Sequence, residues 1–130
     1  MKKYVIIILS IVLIAVVIFM ILKSFGKPDN TSDAMYQIGI NALSVADDYI
    51  EGKIMNSEAR LRLQEFYEQA KKQYDLECEQ IKSITLINTK YENDSMIESA
   101  ISSLYFSVSN AAPMSEITQN RNMLAARIGK

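Results

Sequence analysis

The sequence predicts an all-α protein in which a single N-terminal transmembrane helix is followed by a small antiparallel helical bundle. Three observations predict it. Tyr4 to Leu22 is a 19-residue run without a charge. Beyond residue 32, apolar side chains recur three and four residues apart in four successive segments. Short stretches of Gly, Pro, Asn and Ser, the residues that cap and break helices, separate those segments. The chain divides accordingly into an anchor with a short N-terminal tail at 1–23, a linker at 24–32 and a bundle at 33–130. About 100 residues suffice for one modest core.

At about 1.5 Å per residue, the Tyr4 to Leu22 run makes a helix of roughly 28 Å, close to the hydrocarbon thickness of a bilayer. Lys2 and Lys3 precede it and Lys23 and Lys27 follow. Only three residues come before the run, which with Lys2 and Lys3 favours a cytoplasmic N-terminus and an extracytoplasmic C-terminal domain at the plasma membrane. An alternative is a secretory signal, because Ser24-Phe25-Gly26 has the small-residue spacing a signal peptidase reads, and cleavage near Gly26 would release a secreted helical protein. The run exceeds the roughly 7–15 apolar residues of a signal core, so an uncleaved anchor is favoured. It contains no glycine, and Ser10 and Ala15 are five apart, so it has no small-xxx-small face. Any homo-oligomer would form through the bundle, and the sequence leaves its existence open.

The first bundle helix is expected over 33–51, with Thr31, Ser32 or Asp33 as N-cap. Its apolar positions follow two parallel tracks, Met35, Ile38, Ala42, Val45, Tyr49 and Tyr36, Gly39, Leu43, Ala46, Ile50. Gly52 then stands where a left-handed cap residue belongs. A second helix is expected over 57–90, with a stripe of Ala59, Leu63, Phe66, Ala70, Tyr74, Cys78, Ile81 and Ile84 and outward pairs Glu58–Arg62 and Glu68–Lys72. The β-branched run Ile84 to Thr89 has no second strand to pair with and is read as helical, with a kink allowed near 83–92. Ser95-Met96-Ile97-Glu98 reads as a capping box opening a third helix over 95–109. Pro113 fits the first turn of a fourth over 113–128, where Met114, Ile117, Leu124, Ala125 and Ile128 share a face.

Charge and residue types exclude most chemistry. Residues 1–30 carry four lysines against Asp29, whereas 31–130 carry ten basic and fourteen acidic side chains, a mildly acidic domain without the basic footprint of a nucleic-acid binder. No histidine occurs, which removes the commonest general base and zinc ligand together. The four glycines are scattered, so no phosphate-binding loop exists. Cys78 is alone, which excludes an intrachain disulfide and a CxxC motif, and its place near the edge of the apolar stripe predicts a buried, inert thiol. No catalytic, cofactor-binding or metal-ligating residue is assigned, and the chain is not read as an enzyme.

The candidate partner-contact residues are Asp47, Asp48, Glu51, Lys53 and Met55, an acidic helix end followed by a turn. Acids at a helix C-terminus oppose its dipole, although a solvated face explains them as readily. Arg121 falls inside an apolar stripe, where a cation reaches the rim or meets an acid. Asn30-Thr31-Ser32 and Asn93-Asp94-Ser95 match the N-glycosylation triplet, a pattern common by chance.

Two stretches, Asp47-Asp-Tyr-Ile-Glu-Gly-Lys-Ile-Met-Asn-Ser-Glu-Ala59 and Arg121-Asn-Met-Leu-Ala-Ala-Arg-Ile-Gly129, resemble segments of small, uncharacterised helical proteins of Gram-positive anaerobes. The resemblance covers about a sixth of the chain and consists mostly of hairpin-forming residues. It implies a bacterial envelope protein and no particular activity. The function expected is thus a non-catalytic, membrane-anchored extracytoplasmic interaction module that binds another envelope protein. The alternatives are a small-ligand sensor working through a separate output protein, and the secreted form.

Overall fold

The computed structural model describes residues 2–80 and 91–130, the side chains of 19–25 excepted. Its five described helices are α1 (Lys2–Gly26), α2 (Asp33–Ile50), α3 (Asn56–Gln80), α4 (Glu92–Ser109) and α5 (Met114–Arg127), and no strand occurs among the described residues. The expected extension of α3 to residue 90, with Ile81, Ile84 and the kink, lies outside the described residues.

Helices α2 to α5 form an antiparallel bundle. α2 packs on α3, α4 and α5, and α4 likewise touches the other three, so these two make the inner pair. The core is Met35, Ala42, Leu43, Val45 and Ala46 of α2, Ala59, Leu63 and Ala70 of α3, Ile97, Ala100, Ile101, Leu104 and Val108 of α4, and Ile117, Leu124, Ala125 and Ile128 at α5. The 3.6-residue period placed most of these correctly. Small residues let the inner helices approach: a β-carbon on Gly39 would lie 2.8 Å from Ile128 Cγ2 and 3.3 Å from Ile97 Cγ2. Met114, expected on the inner face of α5, is exposed.

Three described helices end in the same way. After α2, the Gly52 amide donates to Tyr49 O and the Lys53 amide to Asp48 O. After α4, Ala111 and Ala112 bond Val108 O and Ser107 O, and after α5, Gly129 and Lys130 bond Ala126 O and Ala125 O. Each is a Schellman motif turning on a residue of positive φ, which is Gly52 (75°), Ala111 (50°) and Gly129 (75°). Of the three expected N-cap candidates, Ser32 caps α2, accepting from the Met35 amide at 3.2 Å.

Two helix starts correct the sequence expectation. α4 begins at Glu92, a turn before the expected capping box, and Ser95 Oγ instead donates to Glu92 O at 3.1 Å. The first-turn amide of Asn93 finds its acceptor in the carbonyl of Asn30, so tertiary structure replaces a local cap. Pro113 precedes α5 as its N-cap residue, and its carbonyl accepts from Glu116 and Ile117.

The linker is also shorter than expected. α1 continues through residues 24–26, and only 27–32 connect it to α2. Among the described residues, α1 packs against none of the other helices, and its large apolar side chains from Tyr4 to Ile18 are exposed. Among the described residues no helix is long and apolar enough to cross a membrane.

Candidate functional site

The end of the bundle opposite α1 carries the residues expected to contact a partner, and the structure divides them. Asp47 is taken by Arg121, whose Nε donates to Oδ1 at 2.7 Å and whose Nη2 donates to Oδ2 at 3.2 Å. The hydrogen bond and charge of Asp47 raise the pKa of the Arg121 guanidinium above its ordinary value despite partial burial. Arg121 therefore meets an acid, and the pair ties α2 to α5. Glu51 and Lys53 pair with each other at 2.7 Å, and the bond to Glu51 raises the Lys53 pKa. Asp48 contributes its carbonyl to the helix cap and is half-buried. Met55 is 77% exposed, and the paired Glu51 and Lys53 are exposed beside it. Among the described residues no three acids or cysteines come together as a metal site.

Beside this end lies an aromatic patch on α3 and α4. Tyr67 stacks on Tyr105 with ring centroids 5.3 Å apart, and Phe106 meets Tyr67 edge-on at 5.8 Å while remaining 49% exposed. Inside the same end, Asn56 Nδ2 donates to Tyr49 Oη and to Val108 O, both at 3.1 Å, so one amide joins α2, α3 and the end of α4.

The most elaborate polar arrangement is at the base, where α1 enters. Residues 30–32, just before α2, lie along residues 93–94 in the first turn of α4. The Asn30 carbonyl accepts from the Asn93 amide at 3.1 Å. Asn93 Nδ2 donates to Thr31 Oγ1 at 2.9 Å and to Arg127 O at 2.7 Å, which brings in the end of α5. Asp94 accepts from the Ser32 amide at 2.9 Å and from Ser32 Oγ at 2.6 Å. The two triplets that match a glycosylation signal thus face each other, and the amide nitrogen of Asn93 is fully engaged.

Asp94 is fully buried and Glu77 nearly so, at 4% exposure. Asp94 lies in the first turn of α4, where an acid suits the helix dipole, and the Ser32 amide at the start of α2 donates to it. Glu77 Oε1 accepts from Gln73 Nε2 at 2.9 Å, while Oε2 is buried without a donor. Burial, followed by its bond to Asp94, pushes the Glu77 pKa up to about 7. Burial and the nearby Cys78 raise the Tyr74 pKa, and burial also raises that of Glu98. Cys78, expected to be buried, is only half-buried because Glu77 takes the interior position beside it. Sequence reasoning missed Glu77 and Asp94 because charged residues off an apolar stripe read as solvated.

Two open grooves complete the survey of the described surface. One, of about 190 Å³, is lined by Ser95, Ser99, Ser103, Met96, Met123 and Arg127, and the other, of about 330 Å³, borders the base at Pro28, Asn30, Asn93 and Arg127. No family model, curated protein or solved structure matches the chain.

Proposed function

We propose that this protein is a non-catalytic helical module of the cell envelope, anchored in the plasma membrane by α1 and presenting its bundle to another envelope protein on the extracytoplasmic side. The observation that carries the reading is the exposure of α1. Large apolar side chains from Tyr4 to Ile18 remain exposed, and the bundle covers none of them. Burying a single Leu, Ile or Val is worth about 1.5–3 kcal/mol, so a free helix of this kind in water forgoes a stabilisation on the order of tens of kcal/mol. Soluble monomers rarely expose continuous apolar patches beyond a few hundred Å². The sequence continues the apolar run through Phe19-Met20-Ile21-Leu22, and the hydroxyl within the run, Ser10 Oγ, is satisfied within the helix by Ile6 O at 2.8 Å. Lysines flank both ends of the run. The Tyr67, Tyr105 and Phe106 patch supports the bundle as the partner-facing part, since aromatic residues anchor interfaces.

The test is fractionation of cells expressing the full chain and a chain lacking residues 1–26. The full chain is expected in the membrane fraction, resistant to alkaline extraction and digested by protease added outside. The shortened chain is expected in the soluble fraction. Recovery of the full chain in the soluble fraction refutes the anchor.

Cleavage near Gly26 is a second reading supported by one feature. α1 ends at Gly26, so a cut there would leave the base interactions of residues 30–32 intact. Mass spectrometry of the mature N-terminus separates the two readings, with Met1 or Lys2 expected for the anchor and Lys27 for the secreted form.

A further inference from the structure

Arg127 closes α5 and lines both open grooves at the base, which also share Met96. A cation in the last turn suits the helix dipole, so its place on the helix needs no further cause. Its surroundings do. Asp29 and Glu92 line the larger groove with it, yet among the described residues none of the three forms an ion pair. The fold uses the Arg127 carbonyl, which accepts from Asn93 Nδ2, while the side chain is exposed at the groove. One positive and two negative side chains thus stand around an opening of about 330 Å³ that continues into the smaller groove beside Ser95 and Ser99.

The end of α1 sets the level of this opening. A β-carbon on Gly129, two residues past Arg127, would lie 3.5 Å from Gly26 O and 3.5 Å from Pro28 Cγ, so the turn after α5 is seated against the point where α1 ends. With α1 across a bilayer, Arg127, Asp29 and Glu92 stand at the height of the extracytoplasmic headgroups. We propose that the joined groove binds the headgroup of a zwitterionic phospholipid with a primary ammonium, of the phosphatidylethanolamine class, with Arg127 taking the phosphate and Asp29 and Glu92 the ammonium. This occupancy rests on α1 being a membrane anchor, whereas the anchor does not depend on the groove.

The charge pattern selects the headgroup. A guanidinium meets phosphate oxygens with paired N–H donors, and the exposed Ser99 hydroxyl in the adjoining groove adds another donor. A primary ammonium carries three N–H donors for two carboxylates. The trimethylated ammonium of phosphatidylcholine has none to give. Phosphatidylglycerol brings no positive charge, and two acids beside one cation disfavour a headgroup that is only anionic.

The test places the full chain, with isotope-labelled methionine methyls, in nanodiscs of phosphatidylcholine in which phosphatidylethanolamine or phosphatidylglycerol replaces an increasing share. The Met96 and Met123 methyls at the grooves are expected to shift saturably with phosphatidylethanolamine and little with phosphatidylglycerol, while Met35 in the core and Met55 at the far end stay in place. Arg127→Gln, which keeps the main-chain bond to Asn93, is expected to weaken the response about tenfold. Asp29→Asn combined with Glu92→Gln is expected to abolish the preference for phosphatidylethanolamine over phosphatidylglycerol. Glycerophosphoethanolamine, the same headgroup without chains, added to plain phosphatidylcholine discs in matching total amount, is expected to leave both methyls unmoved, because only the lipid is concentrated at the disc surface. Unmoved Met96 and Met123 in discs that carry the chain, an equal response to phosphatidylglycerol, an unaltered response in Arg127→Gln, or equal shifts from the soluble headgroup would overturn the lipid site and leave the anchor standing. A chain that does not co-elute with the discs would overturn both.

Discussion

At Gly39 the bundle has no room for a methyl group, because the side chains of Ile97 and Ile128 already occupy the space it would take. Gly39→Ala gains about 1 kcal/mol of helix propensity but overpacks a fully buried contact. A net loss of about 1–2 kcal/mol is expected in denaturant unfolding. Ala111 presents the opposite case. Its φ of 50° is one that a β-carbon resists, and the residue is exposed, so Ala111→Gly removes strain without removing packing. An increase in stability of about 1 kcal/mol is expected in the same measurement. Gly52 was legible as a cap position because glycine announces a left-handed turn. Ala111 was not, since nothing in an alanine marks that conformation.

Among the elements, α4 shows what a local reading of a helix start omits. The Ser95 to Glu98 box has the right residues, yet the helix starts at Glu92 because residues 30–32 supply the acceptor and the counterparts of Asn93 and Asp94. Asn93→Ala removes the donor to Thr31 Oγ1, which is buried and keeps only its own 3.3 Å bond to Asp29 O, and removes the bond to Arg127 O. Leaving buried polar groups unmet costs about 1–3 kcal/mol, and the loss is expected in thermal unfolding together with reduced exchange protection at Ser32. The expected Glu58–Arg62 pair on α3 forms at 2.7 Å, whereas Glu68 accepts from Gln64 instead. Exposed partners one turn apart compete on nearly equal terms, so spacing alone does not choose between them.

Taken whole, the molecule is a bundle with different chemistry at its two ends. The far end is closed by the Asp47–Arg121 pair, which joins α2 to α5. Both side chains are about a third exposed, so Asp47→Ala is expected to cost no more than about 1 kcal/mol, with the cost shrinking in high salt. The base is closed by buried polar groups that carry a titratable proton. Thermal stability is accordingly expected to fall as pH rises from about 4.5 toward 7, the interval over which the folded chain holds the Glu77 proton and the unfolded chain does not. Glu77→Gln is expected to remove that component from a calorimetric pH series.

The sequence by itself determined the helices, most of their core faces, a first cap among Thr31, Ser32 and Asp33, the Gly52 turn and the apolar character of α1, because periodicity, capping and hydropathy act over a few residues. It also marked Arg121 as a cation that would either reach the rim or meet an acid, without deciding between the two. Only the tertiary structure decided that Asp47 would meet it. Only the tertiary structure, too, turned Asn30-Thr31-Ser32 and Asn93-Asp94, whose side chains meet across 62 residues of chain, into one joint and buried Glu77 against it. Such pairings depend on where the chain returns after each turn, and the desolvation that shifts a carboxyl pKa exists only once neighbouring helices have closed around it.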